Sequence, residues 1–99
     1  MINEWGEHDP MNGTIGANPK VLWREVGGEI VILDPKKGHY YGIEGVGVQI
    51  WQQLQKRTTF QGLVDTLKGE YEVDEKRLRK DILGFIKKLK QSELLKDDL

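Results

Sequence analysis

The sequence predicts an α+β fold in which a three-stranded antiparallel β-meander is followed by three α-helices. Residues 19–43 are rich in β-branched side chains and are interrupted by two turn signals, whereas residues 46–95 repeat apolar side chains at helical spacing. The 99 residues suffice for one small domain with a single core. Because short connections join the elements, the helices must cover one face of the sheet.

Glycine and proline delimit the three predicted strands. The pair Gly27-Gly28 separates the segments 21–26 and 29–34, and two consecutive glycines are typical of a hairpin with a primed turn. Residues 35–38 begin with proline and end with glycine, which predicts a second turn. Residues 39–43 then form a short third strand.

The lengths of the two turns predict how the strands pair. A two-residue turn pairs Val26 with Glu29, and a four-residue turn pairs Asp34 with His39. The two faces that result can then be read from the alternation of side chains along each strand. The face that we assign to the helices carries Trp23, Ile30, Ile32, Tyr41 and Ile43, and the opposite face carries Leu22, Val31, Leu33 and Tyr40.

Three amphipathic helices are predicted after Gly45. Their apolar stripes comprise Val46, Ile50, Trp51 and Leu54; then Phe60, Leu63, Val64, Leu67 and Tyr71; then Leu78, Ile82, Phe85, Ile86 and Leu89. Thr59 and Asp74 are the predicted N-caps of the second and third helices, because their side-chain oxygens can accept a hydrogen bond from the first helical turn. Gly47 is expected to let the first helix pack closely against its neighbours.

The two ends of the chain lack a repeating apolar pattern. Residues 1–18 are polar and contain proline and glycine, so we predict a flexible N-terminal arm, a domain over residues 19–95 and a C-terminal tail over residues 96–99. No apolar run approaches the ~20 residues of a membrane-spanning helix, and residues 1–10 lack the pattern of a secretory signal. A cytoplasmic protein without a membrane partner is therefore expected.

The residue types that carry most enzyme chemistry are scarce. The absence of cysteine excludes disulfides, thiolate metal ligands and cysteine nucleophiles. Residues 45–50 carry two glycines of a dinucleotide-binding fingerprint but lack the third, and a meander offers no βαβ unit. Residues 7–9 (Glu-His-Asp) are adjacent on the arm and lack the preorganisation of a metal site. His39, opposite Asp34, is expected to form a polar pair. We therefore predict no catalytic residue, no metal site, no cofactor and no enzyme activity.

The third predicted helix is strongly basic. Residues 76–90 carry seven basic side chains and one acidic side chain, whereas residues 1–75 carry seven basic and twelve acidic ones. Leu83 lies off the core stripe of this helix. It belongs to a second, partly apolar stripe of Arg79, Leu83, Ile86 and Lys90, flanked by Lys76, Lys80 and Lys87. This stripe is either a solvated lysine face with one stray leucine or the wall of a docking surface.

A specific order of motifs runs through residues 28–95. They are the segments 29–34 and 38–43, Gly47, Ile50-Trp51, Leu54, Thr59, Leu63-Val64, Leu67, Tyr71, Val73-Asp74, Asp81-Ile82, Phe85, Leu89 and Leu94-Leu95. In this order and spacing the chain resembles the PqqD-like family, the pyrroloquinoline quinone biosynthesis protein D proteins and their relatives, also called RiPP recognition elements. The run Tyr40-Tyr41-Gly42 and the pair Ile50-Trp51 look more like the stand-alone leader-recognition proteins of lasso-peptide clusters than like the quinone-pathway member itself.

The resemblance implies a winged helix-turn-helix-like fold that performs no chemistry and binds the leader segment of a ribosomally made precursor peptide. The leader would add as an antiparallel strand to the third strand, with its side chains in the groove between that strand and the third helix. A meander leaves that strand as a free edge, which agrees with this mode of binding. The implied peptide-binding residues are Leu33, Asp34, His39, Tyr40, Tyr41, Gly42, Ile43, Lys76, Arg79, Lys80, Ile82, Leu83 and Ile86.

The partners that the resemblance implies are the precursor peptide and a maturation enzyme, either a leader peptidase or a radical enzyme. The protein is expected to be a monomer without a nucleic-acid partner. Two other functions stay open. A winged-helix transcriptional regulator would use the basic third helix on DNA, although its cations surround the helix and residues 75–90 contain neither Asn nor Gln. An enzyme is conceivable only if the chain is one subunit of an active complex.

Overall fold

The computed structural model describes residues 13–97. In chain order its elements are β1 (Thr14–Ala17), β2 (Leu22–Val26), β3 (Glu29–Asp34), β4 (His39–Ile43), α1 (Val46–Leu54), β5 (Thr58–Thr59), α2 (Phe60–Lys68), α3 (Glu75–Gln91) and β6 (Leu95–Asp97). The strands form two antiparallel sheets in the orders β2-β3-β4 and β5-β1-β6. The α+β fold of a three-stranded meander followed by three helices is confirmed.

The predicted register of the meander is also confirmed. Trp23 lies opposite Ile32, and Ile32 lies opposite Tyr41. The two residues of the first turn, Gly27 and Gly28, both have positive φ angles, 61° and 83°. A primed hairpin turn requires this conformation at both positions, and glycine adopts it without steric cost.

The helices cover the face of the meander that the register predicts. Ile30, Ile32 and Ile43 are buried, and Tyr41 packs against the core. Trp23 is 40% exposed, but the edge of its ring meets the buried Trp51 of α1, with the ring centroids 6.3 Å apart. The opposite face has no layer above it among the described residues, and it carries the exposed side chains Leu22, Val26, Val31 and Tyr40.

The strand β1 corrects the predicted flexible arm. Residues 14–17 form the middle strand of the second sheet, pairing with β5 and β6, and Ile15 is 1% exposed. A four-residue strand shows too few alternations for a sequence pattern to reveal it. The predicted tail is corrected in the same way, because residues 96–97 belong to β6. The rest of the predicted arm, residues 1–12, lies outside the described residues, and the domain limits 19–95 stay a prediction.

The helix starts follow the predicted caps. The Thr59 hydroxyl accepts a hydrogen bond from the Gly62 amide at 2.9 Å, and the Asp74 carboxylate accepts one from the Arg77 amide at 3.3 Å. The second helix is shorter than its apolar stripe suggests, because α2 ends at Lys68 and Tyr71 lies beyond it. Within residues 13–97, no helix has both the length and the apolar character needed to cross a membrane.

Gly47 lies at a close approach between three elements. A Cβ atom at this position would lie 2.8 Å from Ile43 Cγ2 and 3.0 Å from the Phe85 ring, so the first turn of α1 contacts both β4 and α3. The expected close packing at Gly47 is confirmed. This contact joins the end of the meander to the middle of α3.

Because Ile15 is buried, we expect that truncating its side chain destabilises the protein, although this residue lies in the segment predicted to be a flexible arm. Ile15→Ala should lower the free energy of unfolding by about 2–4 kcal/mol, the cost of truncating a buried aliphatic side chain. Leu22→Ala removes a side chain that is 60% exposed, and it should change stability by less than about 0.5 kcal/mol. Urea denaturation followed by circular dichroism measures both. Equal, small effects would show that β1 does not belong to the folded core.

The contact at Gly47 predicts that two helical glycines, Gly47 and Gly84, differ in how much a larger side chain destabilises the protein. Gly47→Val should destabilise the protein by about 2–3 kcal/mol, because the added atoms overlap Ile43 and Phe85. At Gly84 a Cβ atom has nothing within 4 Å, so Gly84→Val should change stability by no more than about 0.5 kcal/mol. Thermal unfolding of the two variants compares them directly. A tolerated Gly47→Val would contradict the close approach of these three elements.

Candidate peptide-binding site

The strand β4 is an edge of its sheet. It pairs with β3 on one side, and no described strand pairs with it on the other. Its side chains alternate, so His39, Tyr41 and Ile43 lie on the helix side while Tyr40, which is 71% exposed, lies on the open face. An unpaired edge strand presents a row of free backbone donors and acceptors.

The helix α3 runs beside this edge in the opposite direction. Near the end of β4, Ile43 and Phe85 meet at Gly47. Near its start, Lys37 of the preceding turn forms an ion pair with Glu93, just beyond the end of α3. We call the space between these two contacts the β4–α3 groove.

One side of α3 forms the second wall of this groove. Phe85 lies between Asp81 and Lys88 at helical spacing, which places all three on the flank of α3 that faces Gly47. Phe85 and Tyr41 are both half-buried, so neither ring is fully covered by the rest of the protein. The groove thus has one aromatic side chain on each wall.

A cleft of about 530 Å³ opens at the Ile43 end of the groove. Its walls come from the start of α1, the loop before α3 and the part of α3 from Leu78 to Lys88. They include Val46, Tyr71 and Val73, three large apolar side chains that stay exposed in the described structure. Tyr71 is held in place by its hydroxyl, which donates to Gln49 Oε1 at 2.9 Å. Exposed apolar side chains gathered in one concavity are typical of a binding site.

One of the predicted site residues, Asp34, shapes the turn before β4, and a second, His39, lies just after this turn. The buried Asp34 carboxylate accepts hydrogen bonds from the amides of Lys36 and Lys37, at 3.0 and 3.3 Å. Asp34 therefore builds the turn, and the predicted polar pair with His39 is replaced by these bonds. The His39 ring instead lies beside Tyr41, whose hydroxyl is 3.4 Å from His39 Nδ1.

The predicted residues of α3 do not all reach the groove. Lys80 and Ile82 line the cleft, and Ile86 is buried in the core. Arg79 faces α2 instead: its guanidinium lies 5.8 Å from the centre of the Phe60 ring and hydrogen-bonds Gln61 and Glu75. Leu83, one helical turn further along, lies on the same side of α3 and is half-buried against the core.

The sequence predicted that the stripe containing Arg79 and Leu83 could be the wall of a docking surface. The position of Arg79 shows that this stripe does not form a wall of the β4–α3 groove. Arg79 and Leu83 lie toward α2, with the exposed Lys76 beyond them, whereas the flank toward β4 is formed by Asp81, Phe85 and Lys88. The sequence pattern supplied two amphipathic flanks of one helix. Only the contacts at Gly47 and Phe60 show which flank faces the sheet edge.

Val46 and Val73, which line the cleft, and Glu93, which pairs with Lys37 at the other end of the groove, were not among the predicted site residues. Val46 and Val73 had a signal, since both are apolar side chains next to a helix start. Glu93 had none, because its role depends on contact with Lys37, which is distant in the chain. Among residues 13–97, no group of three or more histidine or acidic side chains is arranged to hold a metal ion. The candidate metal ligands at residues 7–9 lie outside that range.

Two acidic side chains, Glu75 and Glu93, form ion pairs at the two ends of α3. The hydrogen bond from Lys37 raises its own pKa and lowers the pKa of the Glu93 carboxyl. At the start of α3, the bonds from Lys68, at 2.7 Å, and from Arg79 hold the pKa of Glu75 below its usual value. Each end of α3 is therefore attached by an acidic side chain to a neighbouring element.

Comparisons with known proteins agree with this geometry. The family model described as coenzyme PQQ synthesis protein D (PqqD) matches residues 29–95. A solved structure described as TbiB1 in complex with the TbiA(beta) leader peptide is similar with a TM-score of 0.77 and 30% sequence identity. The match covers 82% of this chain and 94% of that one. Curated proteins gave no match. The matched residues run from β3 to the start of β6 and include every element that forms the groove, and the chain belongs to the PqqD family.

Proposed function

We propose that this protein is a non-catalytic adaptor that binds the leader segment of a ribosomally synthesised precursor peptide and presents it to a maturation enzyme. The single observation that carries the proposal is the unpaired edge of β4, whose Ile43 end lies beside Phe85 of α3 and next to the apolar cleft. A leader segment in extended conformation would add to this edge as an antiparallel strand. Backbone hydrogen bonds would supply affinity, and the groove would select side chains.

The two edges of the meander are not equivalent in this proposal. The outer edge of β2 is exposed along its whole length and has only Trp23 in ring contact with the helices. The edge of β4 lies beside Phe85 and continues into the apolar cleft. A guest strand on β4 would therefore bury side chains as well as pair its backbone, and the burial favours this edge.

The direction of the guest follows from antiparallel pairing. β4 runs from His39 to Ile43, so an antiparallel guest enters at the Ile43 end and leaves at the His39 end. Residues on the N-terminal side of the bound segment would reach the cleft. The remainder of the precursor, including the part that an enzyme modifies, would leave past the turn at residues 35–38.

The similarity to TbiB1 supports the same ligand class. That protein is described in complex with a leader peptide, and its fold is similar to that of this chain, with 30% sequence identity. A lasso-peptide pathway, with a leader peptidase as the receiving enzyme, is the pathway that we propose in preference to one with a radical enzyme. A monomeric, cytoplasmic adaptor is part of this proposal.

The regulator hypothesis has less support from the contacts of α3. Arg79 is held by Gln61, Glu75 and the Phe60 ring, and Arg77 lies 3.9 Å from Asp81. These contacts compete with phosphates for two of the cations that a DNA-reading helix would use.

Leader binding at β4 predicts a specific pattern of amide shifts. In the isotopically labelled full chain titrated with the TbiA(beta) leader peptide, the largest shifts should fall on residues 39–43 and around Phe85 and Lys88. β2 should change little, because its edge is not used. Heteronuclear NMR measures this directly. The largest shifts on β2 would place the guest on the other edge, and no shift at any amide would contradict the proposed function.

Adjacent tyrosines on β4 provide a matched pair for the groove. Tyr41 faces the groove and Tyr40 the open face, so Tyr41→Ala should weaken leader binding about tenfold while Tyr40→Ala changes it by less than about threefold. Isothermal titration calorimetry gives both affinities, and circular dichroism confirms that both variants are folded. Equal losses would mean that the peptide contacts the open face of the sheet as strongly as the groove.

A further inference from the structure

The end of α3 has an unusual residue at its turning point. The Leu94 amide donates to the Leu89 carbonyl at 2.9 Å, and the Glu93 amide donates to the Lys90 carbonyl at 3.1 Å. This pair of bonds ends a helix with one residue in the left-handed conformation, and that residue is usually glycine. Here it is Glu93, with φ of 60°. A glutamate in this conformation carries a steric cost that glycine does not.

The carboxylate of Glu93 has a defined partner across the groove. It pairs with the Lys37 ammonium in the turn before β4. The Lys37 backbone is fixed by its bond to the Asp34 carboxylate, and the Gly38 amide donates to the Asp34 carbonyl at 2.7 Å. Both ends of the ion pair therefore extend from backbone that is already ordered.

The backbone of Glu93 is fixed by a third element. Its carbonyl accepts a hydrogen bond from the Asn18 side-chain amide at 2.9 Å, and the Asn18 amide donates to the Leu94 carbonyl at 3.0 Å. The segment after β1 thus also holds the end of α3 in place. Most exposed ion pairs contribute little because two mobile side chains must be ordered. The Lys37–Glu93 pair instead joins two turns whose backbones are already fixed by hydrogen bonds. It therefore constrains the distance between these two turns.

We propose that the Lys37–Glu93 ion pair closes the His39 end of the β4–α3 groove, and that Glu93 is a positioning residue for the bound leader. The pair fixes the separation between the start of β4 and the end of α3. It thereby sets the width of the groove and the point at which a guest strand must leave β4. This inference rests on the proposed function. It assigns a role to two residues that contact the walls of the groove and do not contact the part of the precursor that an enzyme modifies.

The ion pair gives the glutamate a role at a position whose backbone conformation favours glycine. The left-handed conformation favours glycine, whereas the groove requires a carboxylate that reaches Lys37. Stability and peptide binding should then respond to a change at this position in opposite directions. A residue with a merely structural role would change both in the same direction.

The test compares the only two non-glycine residues with positive φ among residues 13–97, Glu93 and Arg57. Glu93→Gly should leave the melting temperature unchanged or raise it, and weaken binding of the TbiA(beta) leader peptide roughly threefold to tenfold. Arg57→Gly changes a left-handed residue that lies beside Thr14 and Gly16, away from the groove. It should leave the affinity within about twofold. Calorimetric titration and thermal unfolding of the full-length variants give the two readouts.

Exchange of the two charges tests the ion pair itself. Lys37→Glu and Glu93→Lys should each weaken leader binding, and the double variant should recover most of the lost affinity. Because the chain has no cysteine, labels at Lys36→Cys and Gln91→Cys can report the distance across this end of the groove. That distance should broaden in Glu93→Gly and narrow again in the exchanged pair.

The outcomes separate the inference from the proposed function. Unchanged affinity in Glu93→Gly, or parallel losses of affinity and melting temperature, would overturn the positioning role while leaving leader binding intact. An unchanged distance across the groove would overturn it as well. Failure of the unmodified protein to bind the leader peptide would instead contradict the proposed function, whatever the variants do.

Discussion

The absence of a side chain at position 47 determines how the sheet and the helices meet. Three elements converge there: the last residue of β4 and the first turn of α1, which are close together in the chain, and the middle of α3, which is distant from both. A larger residue would overlap the Ile43 side chain or the Phe85 ring, so these side chains or the elements that carry them would have to move apart. The groove, the cleft at its end and the burial of the apolar meander face all depend on this one contact.

Local patterns predicted most of the fold because they are expressed within a few residues. Gly27-Gly28 specified the first turn, the alternation in β3 specified the covered face, and Thr59 specified the start of α2. The site was predicted less well, because it depends on which flank of α3 faces β4. Both flanks carry apolar and charged residues, and their difference arises from contacts between residues far apart in the chain, such as Arg79 with Phe60.

The second sheet was also not predicted from the sequence, because its strands at the two ends of the domain are short and pair with residues that are distant in the chain. β1 lies between β5 and β6, so the first and last described elements are neighbours in space. Its signal is one buried isoleucine, and its pairing partners lie more than forty residues away in the chain. This sheet holds the end of α3 through Asn18, and in this way residues outside the groove determine its shape.

The free edge of β4 has a further consequence for the protein when no ligand is present. An edge strand with unsatisfied backbone groups accepts any extended chain, including the β4 edge of a second molecule. The exposed Tyr40 and Val31 on the adjoining face would add apolar contact to such a pairing. Self-association should therefore be strongest in concentrated, ligand-free samples, and the natural ligand should act as a solubilising agent during purification and storage.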